Sequence, residues 1–181
     1  MSSFIKSKPE TAPYNRKKTM EQDKEQFDHE IKLGYGIGDL RFGLTMDDVE
    51  EIMGEPEEIE ESDEEDEFEH KAWNYWDTGF SFYFDQEDDY RLSCIETANP
   101  NVTLWGKKIF ELSQQEVEDL FKQHGIQSVE KEKIEDNVTC LSYDKEMIDL
   151  YFEQGKLLAV NFGVHMDDNL EVLWPAENNE G

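Results

Sequence analysis

One apolar pattern occurs twice in this chain at a constant shift of 68 positions. The shift takes Phe42 to Phe110, Leu44 to Leu112, Thr45 to Ser113, Val49 to Val117, Ile52 to Leu120 and Met53 to Phe121. It also takes Tyr75 to Tyr143, Phe80 to Ile148, Phe82 to Leu150 and Phe84 to Phe152. A register held across a helix-like segment and the strand-like segments after it is the signature of a duplicated unit.

Each copy reads the same way. Leu40 to Leu44 is a short strand, and Thr45 caps a helix over MDDVEEIM that Gly54 ends. Strands follow at Ala72 to Trp76, Gly79 to Asp85 and Tyr90 to Thr97, with Phe80, Phe82 and Phe84 alternating. In the second copy Ile109 to Leu112 is the strand. Ser113 with Glu116 makes a capping box, and Val117, Leu120 and Phe121 form the helix's apolar stripe. Strands at Val138 to Tyr143, Met147 to Glu153 and Lys156 to Phe162 complete the plan.

The expected fold class is therefore α+β. Two tandem helix-on-antiparallel-sheet units (β-α-β-β-β) fuse into one continuous sheet with the helices on one face. The expected boundaries are a flexible tail at 1–30, a first unit at 31–103, a second at 104–174 and a frayed end at 175–181. The opposite sheet face stays in solvent, and alternation assigns Tyr75, Tyr83, Tyr143 and Tyr151 to it.

Charge narrows the function. Lys and Arg number 17 against 45 Asp and Glu, for a net charge of −28. Binding to a phosphate backbone or an anionic membrane needs clustered cations, so neither nucleic acid nor membrane is an expected partner. The densest run is EPEEIEESDEEDEFE at 55–69, where 11 of 15 residues are acidic. Mutual repulsion predicts an extended, solvated loop there, with Glu60, Glu61, Asp63, Glu64 and Glu65 presented to a partner. The first 30 residues show no apolar stretch of the signal-peptide kind, which sets the expectation of a cytoplasmic protein.

The stretch IGDLRFGLTMDDVEEIMGEP, through Phe42, Gly43, Leu44, Thr45, Val49, Ile52, Met53, Gly54 and Pro56, resembles the opening of the SmpA/BamE-like superfamily. The tandem plan over 39–163 is similar to that of beta-lactamase inhibitor protein. The resemblance implies a small helix-on-sheet unit and, for the tandem plan, a sheet that grips another protein.

Catalytic chemistry leaves no comparable trace. His29, His70, His124 and His165 stand in four different segments. GYGIG at 34–38 lacks the ending of a phosphate loop and reads as a turn. Cys94 and Cys140 match no zinc spacing and read as two reduced, buried thiols. Asp85, Glu87, Asp88 and Asp89 miss the glycine of a calcium loop and read as a solvated turn. No metal, no cofactor and no enzyme activity are expected.

The function expected is a non-enzymatic protein-binding module. Its most concrete form is a cytoplasmic immunity-type inhibitor, a monomer or weak dimer that captures a basic toxin by its acidic surface and open sheet face. The alternatives are an assembly factor that binds by strand addition and a small-molecule or cation-binding domain.

Overall fold

The computed structural model describes residues 28–63 and 65–176. Of the expected tail at 1–30, residues 1–27 lie outside the described residues and Glu30 instead opens a strand; of the expected frayed end at 175–181, residues 177–181 lie outside them.

The described residues are mostly β, at 18% helix and 42% strand, and this overturns the α+β class. Among the described residues 13 strands form sheets of five and eight. In the small sheet are β1 (Glu30–Lys32), β2 (Gly36–Ile37), β3 (Leu40–Arg41), β8 (Thr103–Leu104) and β9 (Lys107–Lys108). In the large one are β4 (Glu58–Glu61), β5 (His70–Tyr75), β6 (Phe80–Asp85), β7 (Leu92–Thr97), β10 (Glu130–Glu135), β11 (Val138–Tyr143), β12 (Ile148–Glu153) and β13 (Lys156–Gly163). Its order is β10-β11-β12-β13-β7-β6-β5-β4. Two helices, α1 (Met46–Met53) and α2 (Gln114–Gln123), are present among the described residues.

Two physical facts account for the correction. The strands of the small sheet are two or three residues long, too short for any alternation to register. The stretch expected to be a strand at Ile109 is in fact a 3-10 turn, Ile109–Glu111. The acidic run is also no plain loop, because its part Glu58–Glu61 pairs with β5. Likewise Glu130–Glu135 pairs with β11. At an edge every carboxylate points into water, where repulsion at 4 Å costs about 1 kcal/mol before screening, so ladder hydrogen bonds win. Each expected three-stranded meander thus gains a fourth, charged strand.

GYGIG is a turn only in part: Gly34 and Tyr35 turn the chain, but Gly36–Ile37 is strand β2, paired on both sides. Gly36 has φ 141°, and a Cβ there would stand 1.9 Å from the Leu40 carbonyl oxygen, so only glycine fits.

Both helices begin with full capping boxes. Thr45 Oγ1 accepts from the Asp48 N–H and Asp48 returns the bond, and Ser113 with Glu116 does the same. Their apolar stripes, together with Ile31, Ile37, Leu40 and Leu104 of the small sheet, close on one side of the large sheet in a single core. Trp73 packs edge-on to Phe84 at 5.0 Å, Tyr75 to Phe82 at 5.5 Å, and Phe42 to Phe162 at 6.0 Å. Phe121 of α2 lies flat on Tyr143 at 3.8 Å.

The ladders repeat the 68-residue spacing in detail. Strand β11 covers the positions of β5 shifted by 68, and β12 those of β6. A bulge follows Tyr83 in the β6–β7 ladder and follows Tyr151 in the β12–β13 ladder. The copies meet where β7 pairs antiparallel with β13, from Thr97 opposite Val160 to Cys94 opposite Gly163.

Candidate functional site

The face of the large sheet turned away from the core is built by the alternate residues of its strands. One row of cross-strand partners runs through all eight: Glu58, Asn74, Ser81, Glu96, Asn161, Asp149, Ser142 and Glu130. The row holds four carboxylates and no Lys or Arg. It is centred on the seam, where Glu96 faces Asn161.

Hydrogen bonds fix the row's polar groups. Ser81 Oγ donates to Asn74 Oδ1 at 2.6 Å, and Asn74 Nδ2 donates to Glu58 Oε1 at 3.1 Å. Tyr83 OH donates to Glu96 Oε1 at 3.1 Å, and Cys94 Sγ donates to Asn161 Oδ1 at 3.0 Å. Two of the expected tyrosines, Tyr83 and Tyr151, flank the row on this face, each half-buried. Burial, reinforced for Tyr83 by the Glu96 carboxylate, raises both phenols, Tyr151 to about 12, so they stay neutral donors.

The other two expected contacts are elsewhere. Tyr75 and Tyr143 are 4% and 1% exposed and belong to the core. Tyr75 pairs with Phe80 and Tyr143 with Ile148, so each shares the face of the apolar strand residues. Alternation read along β6 and β12 does not carry through the turn before them, and the parity inverts. The Tyr75 hydroxyl donates to the Gly54 carbonyl at 2.7 Å, closing the C-terminal end of α1.

The acidic residues divide. Glu60 and Glu61 lie in edge strand β4, with Glu61 3.2 Å from Lys71 Nζ. Asp63 opens a turn in which its N–H donates to Asp66 Oδ2, and Glu65 is exposed in the same turn. Glu64 lies outside the described residues.

Sequence reasoning missed Glu96, Asp149, Asn161 and Asn74, which occupy the middle of the row. The alternation of Asp149, Tyr151 and Glu153 in β12 was the available signal, whereas Asn161 stands between Ala159 and Gly163 in β13 and gives none.

At one end of the seam is a cleft of about 400 Å³, lined by Asp85, Asp88, Cys94, Asp144, Asp149 and Met147 among others. Burial and the neighbouring carboxylates of Asp85, Glu87 and Asp89 raise Asp88 above the ordinary carboxylate range. The Cys94 thiol is pushed up to about 12, by burial first and then by Glu96, Asp85 and Asp149, so it is a poor nucleophile. Both cysteines are free. Among the described residues no group of three or more His, Cys, Asp or Glu side chains is arranged to hold a metal ion. Nor is any helix there long and apolar enough to cross a membrane.

No family model and no curated protein matches the chain. Among solved structures it is similar to an extracellular protein containing a SCP domain from Bacillus anthracis str. Ames, at 17% identity and TM-score 0.42. The match covers 76% of this chain and 50% of that one, so this chain spans half the length of that neighbour. A likeness at that level fixes neither the fold nor the function.

Proposed function

We propose that this chain is a non-enzymatic protein-binding module that receives a basic protein on the core-free face of its large sheet. In its most concrete form it is an immunity-type inhibitor of a cationic toxin, acting in the cytoplasm of the cell it protects. The observation that carries this reading is the unbroken row from Glu58 to Glu130, four carboxylates and no cation across eight strands. Tyr83 and Tyr151 beside it supply large, stiff, amphipathic contacts of the kind that anchor interfaces. The net charge of −28 would speed encounter with a cation. Strand addition is the weaker reading, because charged side chains line both free edges.

The test is stopped-flow association with a purified cationic nuclease-toxin domain encoded beside this chain. The association rate should fall steeply between low and high salt, and E96Q/D149N should slow it further. Absence of binding, or a rate indifferent to salt, would overturn the proposal.

A further inference from the structure

The large sheet is open: its order ends at β10 on one side and β4 on the other, and these two strands do not pair with each other. Among the described residues each therefore presents one row of backbone N–H and C=O groups that no strand pairs, a template on which a second copy could add. Every residue of both strands is exposed. Ile59 and Ile134 lie in them, 53% and 47% exposed, and would favour such pairing.

The ladders fix which way the charges face. Glu58 and Glu60 pair with Asn74 and Ala72, and Glu130 and Glu132 with Ser142 and Cys140, so all four glutamates are on the core-free face. Lys131 and Lys133 pair with Leu141 and Thr139 and are on the core side. Antiparallel addition of a second copy brings residues of the same face directly opposite each other, with Cβ atoms about 5 Å apart. Pairing β10 with β10 then sets glutamate against glutamate and lysine against lysine. Pairing β4 with β4 sets Glu58 and Glu60 against each other. Pairing β4 with β10, the mode that would grow a filament, gains a Glu61–lysine contact on the core side but still opposes Glu58 and Glu60 to Glu130 and Glu132. Like charges directly opposite destabilise a strand pair.

We infer that Glu58, Glu60, Glu130 and Glu132 guard the two edges of the sheet against pairing with further copies of this chain. The acidic run thus has a role that its net charge alone does not describe. The position of each carboxylate relative to the pleat matters, because each of the three edge pairings meets the same repulsion on the same face.

The test compares two full-length variants of equal charge by sedimentation velocity over a range of concentration, at neutral pH and low salt. One is E58Q/E60Q/E130Q/E132Q. The other, E51Q/E87Q/E111Q/E171Q, removes four exposed carboxylates that lie outside both edges. The edge variant should self-associate at least roughly tenfold more tightly than the wild type, with a rise in fibril-dye fluorescence. The off-edge variant should behave as the wild type does. The pair E60Q/E132Q, a milder change whose fold circular dichroism checks, should show the same trend. An edge variant no more associated than the wild type, or an off-edge variant equally associated, would overturn the inference.

Discussion

Lys131 Nζ lies 2.9 Å from Glu118 Oε1, tying edge strand β10 to helix α2 through a carboxylate whose side chain is only 8% exposed. The other contact to that carboxylate is a longer one from Gln114 Nε2, at 3.4 Å. K131M should therefore leave a buried charge without its cation. Breaking a buried pair costs about 3–5 kcal/mol, but the Lys131 ammonium is half-exposed, so roughly 1–3 kcal/mol is expected. Urea unfolding measures it. The double variant E118Q/K131M should recover most of the loss, and a single variant as stable as the wild type would show that the pair holds nothing.

The four tyrosines should separate into two classes. Y143A opens a cavity under Phe121 and should cost about 3–5 kcal/mol. Y75F keeps the ring and loses the bond to the Gly54 carbonyl, about 1 kcal/mol. Y151A, on the half-exposed face, should cost less than Y143A. Thermal unfolding of the three variants checks the order. Equal losses for Y143A and Y151A would contradict the parity of the ladders.

His70 gives a pH dependence with a definite sign. Its Nδ1 lies 2.8 Å from Asp85 Oδ1, and that hydrogen bond raises the imidazole above its ordinary 6.5, with a smaller opposing effect of burial. The raised value belongs to the folded chain. The stabilisation is therefore complete below pH 6.5 and is lost as pH rises through the folded value. NMR titration of His70 should show a midpoint above 6.5 that D85N lowers. A wild-type midpoint at or below 6.5 would refute the pairing.

Burial should also protect both thiols. With Cys94 pushed up to about 12 and Cys140 also raised, thiolate is scarce at neutral pH. Reaction with a disulfide reagent should be slow in the native protein and prompt in denaturant. Fast native labelling of Cys94 would mean that the seam opens readily.

G36A tests the small sheet. The added Cβ would meet the Leu40 carbonyl oxygen at 1.9 Å, so the chain must shift or β2 must unpair from β3. A cost of roughly 2 kcal/mol is expected. A neutral substitution would mean that the β2–β3 pairing contributes little to stability.

How legible the fold was depended on how long each pattern ran. Thr45 and Ser113 mark both helix starts, because a capping residue followed by an amphipathic stripe is a local signal. The Phe80–Phe82–Phe84 alternation likewise placed β6. The strands Gly36–Ile37 and Lys107–Lys108 left no trace, since two residues show no period. β4 and β10 were masked by composition: Glu is a poor strand former on average, and only the exposed edge makes it tolerable. At the candidate site, Tyr83 and Tyr151 were readable from alternation within their own strands, whereas Tyr75 and Tyr143 required knowing how two strands align across a turn. Glu96 and Asn161 became neighbours only through the seam, a pairing that no local pattern announces.

The seam has a kinetic consequence. Thr97 meets Val160, and Cys94 meets Gly163, only after the whole intervening chain has looped back. Each four-strand hairpin stack can assemble from near neighbours, while their junction must wait for a distant closure whose entropic toll local contacts do not offset. Refolding should thus proceed in two halves that zip independently and marry late at the centre. A transient with both outer hairpins protected and β7 and β13 still exchanging hydrogen would be its mark.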